Sequence, residues 1–114
     1  AFYQDTSEVM RANPDMTKIG FLDTQGIIIT SRSEKNGIDF ISRYFAPKIG
    51  IDEDPVTGSS HCSLAPYWGA ILEKDNLVAE QVSKRGGLIK LKNMGDKVAI
   101  GGQARTVFSG NLLV

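Results

Sequence analysis

From residue 52 to residue 61 the chain reads Asp-Glu-Asp-Pro-Val-Thr-Gly-Ser-Ser-His, and this run holds the side chains best suited to chemistry. Three acids precede Pro55, which holds the loop extended, and Gly58, Ser59 and Ser60 follow where an apolar helix begins. Glycine lets a ligand approach the backbone, and the first turn of a helix carries amides with no acceptor of their own. With the helix dipole behind them, these amides form a seat for a carboxylate or an oxyanion, to which the hydroxyls of Ser59 and Ser60 add donors. A carboxylate beside such donors orients a substrate or exchanges protons with it. The arrangement requires no metal and no cofactor. A plainer reading makes the acids solvated or capping groups and Thr57-Gly58-Ser59 an ordinary N-cap.

Two residues are candidates for supporting roles. His61 is the only imidazole, suited either to shuttling protons near neutral pH or to holding the loop by a hydrogen bond. Arg43 lies upstream on an expected strand, where it either steers a carboxylate or pairs with a nearby acid. Cys62 is expected to be an inert packing residue, Tyr67 and Trp68 core or interface, and Lys84-Arg85 a solvated turn.

The elements that must position the acidic run are legible in part. From Gly58 to about Lys74 the residues Cys62, Leu64, Ala65, Tyr67, Trp68, Ala70, Ile71 and Leu72 leave almost no polar stripe, so the helix is expected to be buried all round, bent at Pro66. Gln25–Ser31 and Ile38–Phe45 read as a hairpin turned at Asn36-Gly37. Leu88–Lys92, Lys97–Ile100, Gln103–Phe108 and Leu112–Val114 read as further strands, and Ile19–Leu22 as a short one. Asp5-Thr6-Ser7 caps a helical turn that Asn13-Pro14 stops. Short strands around one helix predict an α+β domain occupying residues 1–114.

Composition narrows the function classes. Thirteen basic residues balance thirteen acidic ones, so no basic field attracts nucleic acid. One cysteine and one histidine are too few for a four-ligand zinc site and exclude an internal disulfide, which fits a cytoplasmic setting. Leu64–Leu72 is about half of the ~20 residues a membrane span needs, and no signal peptide opens the chain, which starts at Ala1.

Three segments carry a specific resemblance: Arg43-Tyr44-Phe45-Ala46-Pro47, Gly50–Ser59, and His61-Cys62 with Leu64-Ala65-Pro66-Tyr67-Trp68. Together with Gln81, Ser83 and Arg85-Gly86-Gly87 they closely resemble the phenazine-biosynthesis (PhzF-like) isomerase family. The resemblance runs from about Pro14 to Val114 and implies a diaminopimelate epimerase-like fold, mostly antiparallel strands wrapped around a central helix at about residues 58–74. It implies two similar domains with the active site between them, this chain corresponding to the C-terminal one. It also implies cofactor-free proton transfer at a carbon next to an acid or amine, as in isomerases, epimerases and racemases. Asp54 and Ser59 match residues that contact substrate, and Thr57, Gly58, Ser59 and Ser60 match the loop that holds its anion. In the related epimerases a catalytic cysteine aligns with Asp54. The family's glutamate acid/base belongs to the N-terminal half, so the expected partners are a small-molecule carboxylate and either a second copy of this chain or a complementary N-terminal half.

Overall fold

A computed structural model describes residues 1–113. Near the N-terminus, Asp5 accepts a hydrogen bond from the Ser7 amide at 2.7 Å and opens helix α1 (Thr6–Arg11). Asp15 does the same for the Lys18 amide at 3.1 Å and opens α2 (Met16–Gly20). The expected strand at Ile19–Leu22 is instead the end of α2 and the turn after it: the Asp15 cap starts a helical turn that Ile19 and Phe21, with Gly20 between them, do not outweigh.

Strands β1 (Ile27–Arg32) and β2 (Phe40–Ala46) pair antiparallel, with Ile27 opposite Phe45 and Arg32 opposite Phe40. Their connection is longer than a two-residue hairpin. Only Gly37 has positive φ (78°), and Ile38 bonds back to the Lys35 carbonyl at 3.2 Å. After a 3₁₀ turn at Pro47–Ile49 come β3 (Ile51–Asp54), α3 (Gly58–Leu72), β4 (Asn76–Gln81), β5 (Gly87–Asn93) and β6 (Val98–Gly101). The sheet runs β1-β2-β4-β5-β6, with β3 also on β2. The pairings between these strands are antiparallel except β2 with β4. The fold is α+β.

One feature of this sheet positions the loop. With β1 along one edge of β2, strands β3 and β4 share the other: Phe40–Ser42 face Ala79–Gln81, while Tyr44 and Ala46 face Asp54 and Ile51. The last residues of β3 and β4, Asp54 and Gln81, thus meet opposite Ser42–Tyr44, where the chain enters α3.

Side chains of β2 alternate between two cores. Phe40 joins Leu64, Ala65, Trp68, Leu77, Ala79, Ile89 and Leu91 beneath α3, whereas Ile41 and Phe45 pack with Val9, Ile19 and Ile29 beneath α1 and α2. The helix differs from expectation. It buries one stripe, Ser60, His61, Leu64, Ala65, Trp68 and Gly69, while Tyr67 and Ile71 are 43% and 51% exposed. Cys62 is exposed too, because it follows His61 by one residue and so turns away from the stripe. The sheet therefore covers one side of α3 in this chain. The helix continues through Pro66 and ends at Leu72, where Glu73 takes a left-handed conformation (φ 52°).

Residues 103–113 form no strand and are exposed, Val107 by 93% and Phe108 by 84%. The expected strands at Gln103–Phe108 and Leu112–Val114 have no ladder partner among the described residues, and alternation without pairing does not make a strand. Val114 lies outside the described residues.

Gly69 is a packing requirement. A Cβ there would strike the Asn93 side-chain amide and come within 2.9 Å of the Lys74 carbonyl. Gly69→Ala is therefore expected to destabilise by about 1–3 kcal/mol in urea unfolding, although alanine is the better helix former. An equally or more stable variant would show that Asn93 and the helix end move aside freely.

Candidate functional site

Thr57 stands at the N-cap of α3 with extended backbone, yet its side chain makes no capping bond. Its hydroxyl donates instead to Asp54 Oδ2 and accepts from Gln81 Nε2 at 3.0 Å. Gln81 also accepts from the Thr57 amide at 2.8 Å and donates to the Asp54 carbonyl at 2.7 Å. Ser60 Oγ turns inward, donating to the Thr57 carbonyl at 2.9 Å. The amides of Gly58, Ser59 and Ser60, which have no acceptor within the helix, are thus left without a side-chain cap. Gly58 and Ser59 are exposed, and Asp54 is half-buried beside them.

His61 has no exposed surface. Its Nδ1 lies 2.7 Å from the Thr57 carbonyl, an acceptor, which places the proton on Nδ1 and leaves Nε2 buried with no partner among the described residues. The ring stacks on Phe40 at 6.0 Å. The bond to the Thr57 carbonyl ties His61 to the loop from beneath. Burial pushes its pKa below the usual imidazole value, only partly offset by the Thr57 bond. In the unfolded chain the imidazole titrates near its ordinary value of 6.5, so the unfolded state binds the extra proton first. The contribution of neutral His61 to stability is complete above that value and is lost as pH falls through 6.5 toward the lower folded value. Unfolding between pH 7 and 5 is expected to show a His61 slope of up to about 1.4 kcal/mol per pH unit. His61→Asn should flatten it; an unchanged slope would mean that His61 is already accessible to protons when folded.

Arg43 is elsewhere. On β2 it points with Ile41 and Phe45 to the face opposite α3. There it pairs in bidentate fashion with Glu53 (2.6 and 3.0 Å), donates to the carbonyls of Val9 (3.1 Å) and Ala12 (2.7 Å) at the end of α1, and lies 4.8 Å over Phe45. Its guanidinium is committed to joining α1, β2 and β3 and is turned away from the loop.

The next residue, Tyr44, faces the helix side. It lines a groove of about 510 Å³ with Thr24, Gln25, Ser59, Ser60 and Ser63. Strand alternation from Arg43 carried that signal, which becomes readable only once the strand's inner face is known. On the other side of Gly58 a groove of about 450 Å³ is lined by Val56, Arg85, Gly86, Gly87 and Gly101. Asp54 lines neither groove. Ser83 braces the loop from behind, donating to the Pro55 carbonyl at 2.7 Å and accepting from the Gly86 amide at 3.0 Å. The structure thus brings together Asp54, Thr57, Gly58, Ser59, Ser60 and His61, adds Gln81, Ser83 and Tyr44, and separates Arg43. Among the described residues no three His, Cys, Asp or Glu side chains gather as metal ligands, and no helix is long and apolar enough to cross a membrane.

The chain is similar to known proteins over most of its length. The chain is 50% identical over 102 residues to a protein named an uncharacterized isomerase in Halalkalibacterium halodurans, covering 90% of this chain and 38% of that one. A protein of the same description from Pseudomonas aeruginosa is 46% identical over 109 residues, 95% of this chain and 41% of the relative. The chain therefore spans about two fifths of the length of these curated relatives. Among solved structures, a phenazine biosynthesis protein of the PhzF family from Enterococcus faecalis superposes with a TM-score of 0.86 at 41% identity, covering 91% of this chain and 40% of that one. A putative phenazine biosynthesis PhzC/PhzF protein from Clostridium difficile gives 0.85 at 40% identity, with 99% and 43% covered. The profile described as phenazine biosynthesis-like protein matches residues 2–110, and the chain belongs to that family.

Proposed function

We propose that this chain is the C-terminal half-site of a cofactor-independent isomerase or epimerase that moves a proton at the carbon next to a small carboxylate. The observation that carries the reading is an uncapped helix tip whose cap residue is bonded instead to Asp54. The substrate carboxylate sits on the amides of Gly58, Ser59 and Ser60, with the Ser59 hydroxyl beside it. Asp54 takes the proton from the neighbouring carbon. The negative charge that develops spreads onto the substrate carboxylate, where the amides and the helix dipole stabilise it. In a same-face isomerisation Asp54 returns the proton itself, whereas epimerisation needs a second acid on the opposite face. That acid comes from the second copy's Asp54 across a two-fold homodimer cleft, or from a complementary N-terminal half.

That the relatives are more than twice as long supports a half-site. So does the apolar outer face of α3, where Phe2, Tyr67 and Ile71 are exposed. A cytoplasmic setting suits the exposed free thiol of Cys62.

One observation favours a second reading: because Asp54 lines neither groove, the tip alone also suits a module that binds a small carboxylate without turnover. The test follows carbon-bound hydrogen in deuterium oxide by NMR across small amino and hydroxy acids, with calorimetry alongside. Deuterium at the carbon next to the carboxylate supports the isomerase. Saturable binding without exchange selects the module. Neither, for the chain alone and mixed with the N-terminal part of a relative, sinks both.

A further inference from the structure

We infer that Gln81 is the positioning residue of the acidic loop, holding Thr57 out of its N-cap role and so keeping the tip of α3 open. A threonine at an N-cap in extended backbone ordinarily turns its hydroxyl onto an amide of the first helical turn. Thr57 has that backbone (φ −114°, ψ 106°) and makes no such bond. The cause lies on β4. Gln81 is fully buried and spends its whole amide on the loop: Oε1 accepts from the Thr57 amide, while Nε2 donates to the Asp54 carbonyl and to Thr57 Oγ1. Thr57, held on one side by Gln81, gives its own proton to Asp54. The rotamer that satisfies these partners leaves the Ser59 and Ser60 amides without it.

The task needs one acceptor and two donors at a buried position, and a carboxamide supplies them. Glutamate would lose both donors and bury a charge next to Asp54; leucine would leave the Thr57 amide without its acceptor, while the hydroxyl keeps only its bond to Asp54. The catalytic consequence rests on the function proposed above. The geometry itself can be tested with no ligand at all.

The experiment is residue-resolved amide hydrogen exchange on the nitrogen-15-labelled chain. In the wild type, the Thr57 amide is expected to be protected and the Ser59 and Ser60 amides to exchange fast. In Gln81→Leu, Thr57 loses protection while the freed hydroxyl caps the helix, slowing Ser59 or Ser60 roughly five- to tenfold, the scale of one cap bond. Adding Thr57→Val to that variant removes the hydroxyl and returns both serines to fast exchange. A merely structural glutamine gives the opposite pattern: all three amides loosen together and the second substitution restores nothing. Unprotected Thr57 in the wild type, or no slowing at either serine in a folded Gln81→Leu, overturns the inference. If Gln81→Leu does not fold, Gln81→Met, which keeps the side-chain length, is read by the same criteria. Failure of the solvent-deuterium test leaves these exchange patterns untouched, so the two ideas fail separately.

Discussion

Asp54→Asn is expected to lower solvent-deuterium exchange at the substrate carbon by at least about 100-fold, within the range that a positioned acid or base contributes. Asparagine keeps the size of the side chain and an oxygen that still accepts from Thr57, so the loop keeps its shape. What is lost is the capacity to take up a proton. Binding of the carboxylate, which depends on the amides of Gly58, Ser59 and Ser60, should change little. Measuring exchange by NMR and affinity by calorimetry on the same sample separates the two effects. Full exchange in a folded Asp54→Asn removes Asp54 of both copies from the proton path and moves the search to the complementary half.

Trp68→Ala should cost about 3–5 kcal/mol in urea unfolding, a large share of the roughly 5–15 kcal/mol that holds an ordinary domain together. Trp68 is fully buried, stacks on Phe40 at 5.5 Å with 11° between the rings, and donates from Nε1 to Thr30 Oγ1 at 3.0 Å. It ties the middle of α3 to both β1 and β2. Thr30 still donates to the Ile41 carbonyl after the change, so most of the loss is cavity and lost contact. Tyr67→Ala is the control: that ring is 43% exposed, packs edge-on against Trp68, and should cost about 1 kcal/mol or less. Equal losses for the two would mean that the outer face of α3 is covered in solution, by a second copy of the chain for example.

The helix 58–72 and the β1–β2 and β5 strands were readable because their signals are local: an apolar run of helical length, a β-branched run, and strict alternation at Leu88–Lys92. Strand β4 was missed because Asn76–Gln81 mixes polar and apolar residues and gains its order from pairing with β2 and β5 on either side. Strand β3 was hidden in an acidic run of low strand propensity, held by two pairings to β2 and by the Glu53–Arg43 ion pair. The burial of α3 was overread for a related reason. Hydrophobicity states what a helix can bury, and only its neighbours decide which side is covered.

The sequence by itself determined the family and the α+β class and singled out the run from Asp52 to His61 as the place to look, since residue type and spacing survive without knowledge of contacts. Which of these side chains act together was decided by the tertiary structure. The joining of β3 and β4 along one edge of β2 carries Gln81 to Thr57 across 24 residues of chain. The two-residue period of β2 turns Arg43 away and Tyr44 toward the tip. Both depend on register between distant strands, which is set by shared hydrogen bonds and a common core and so is written in no single segment.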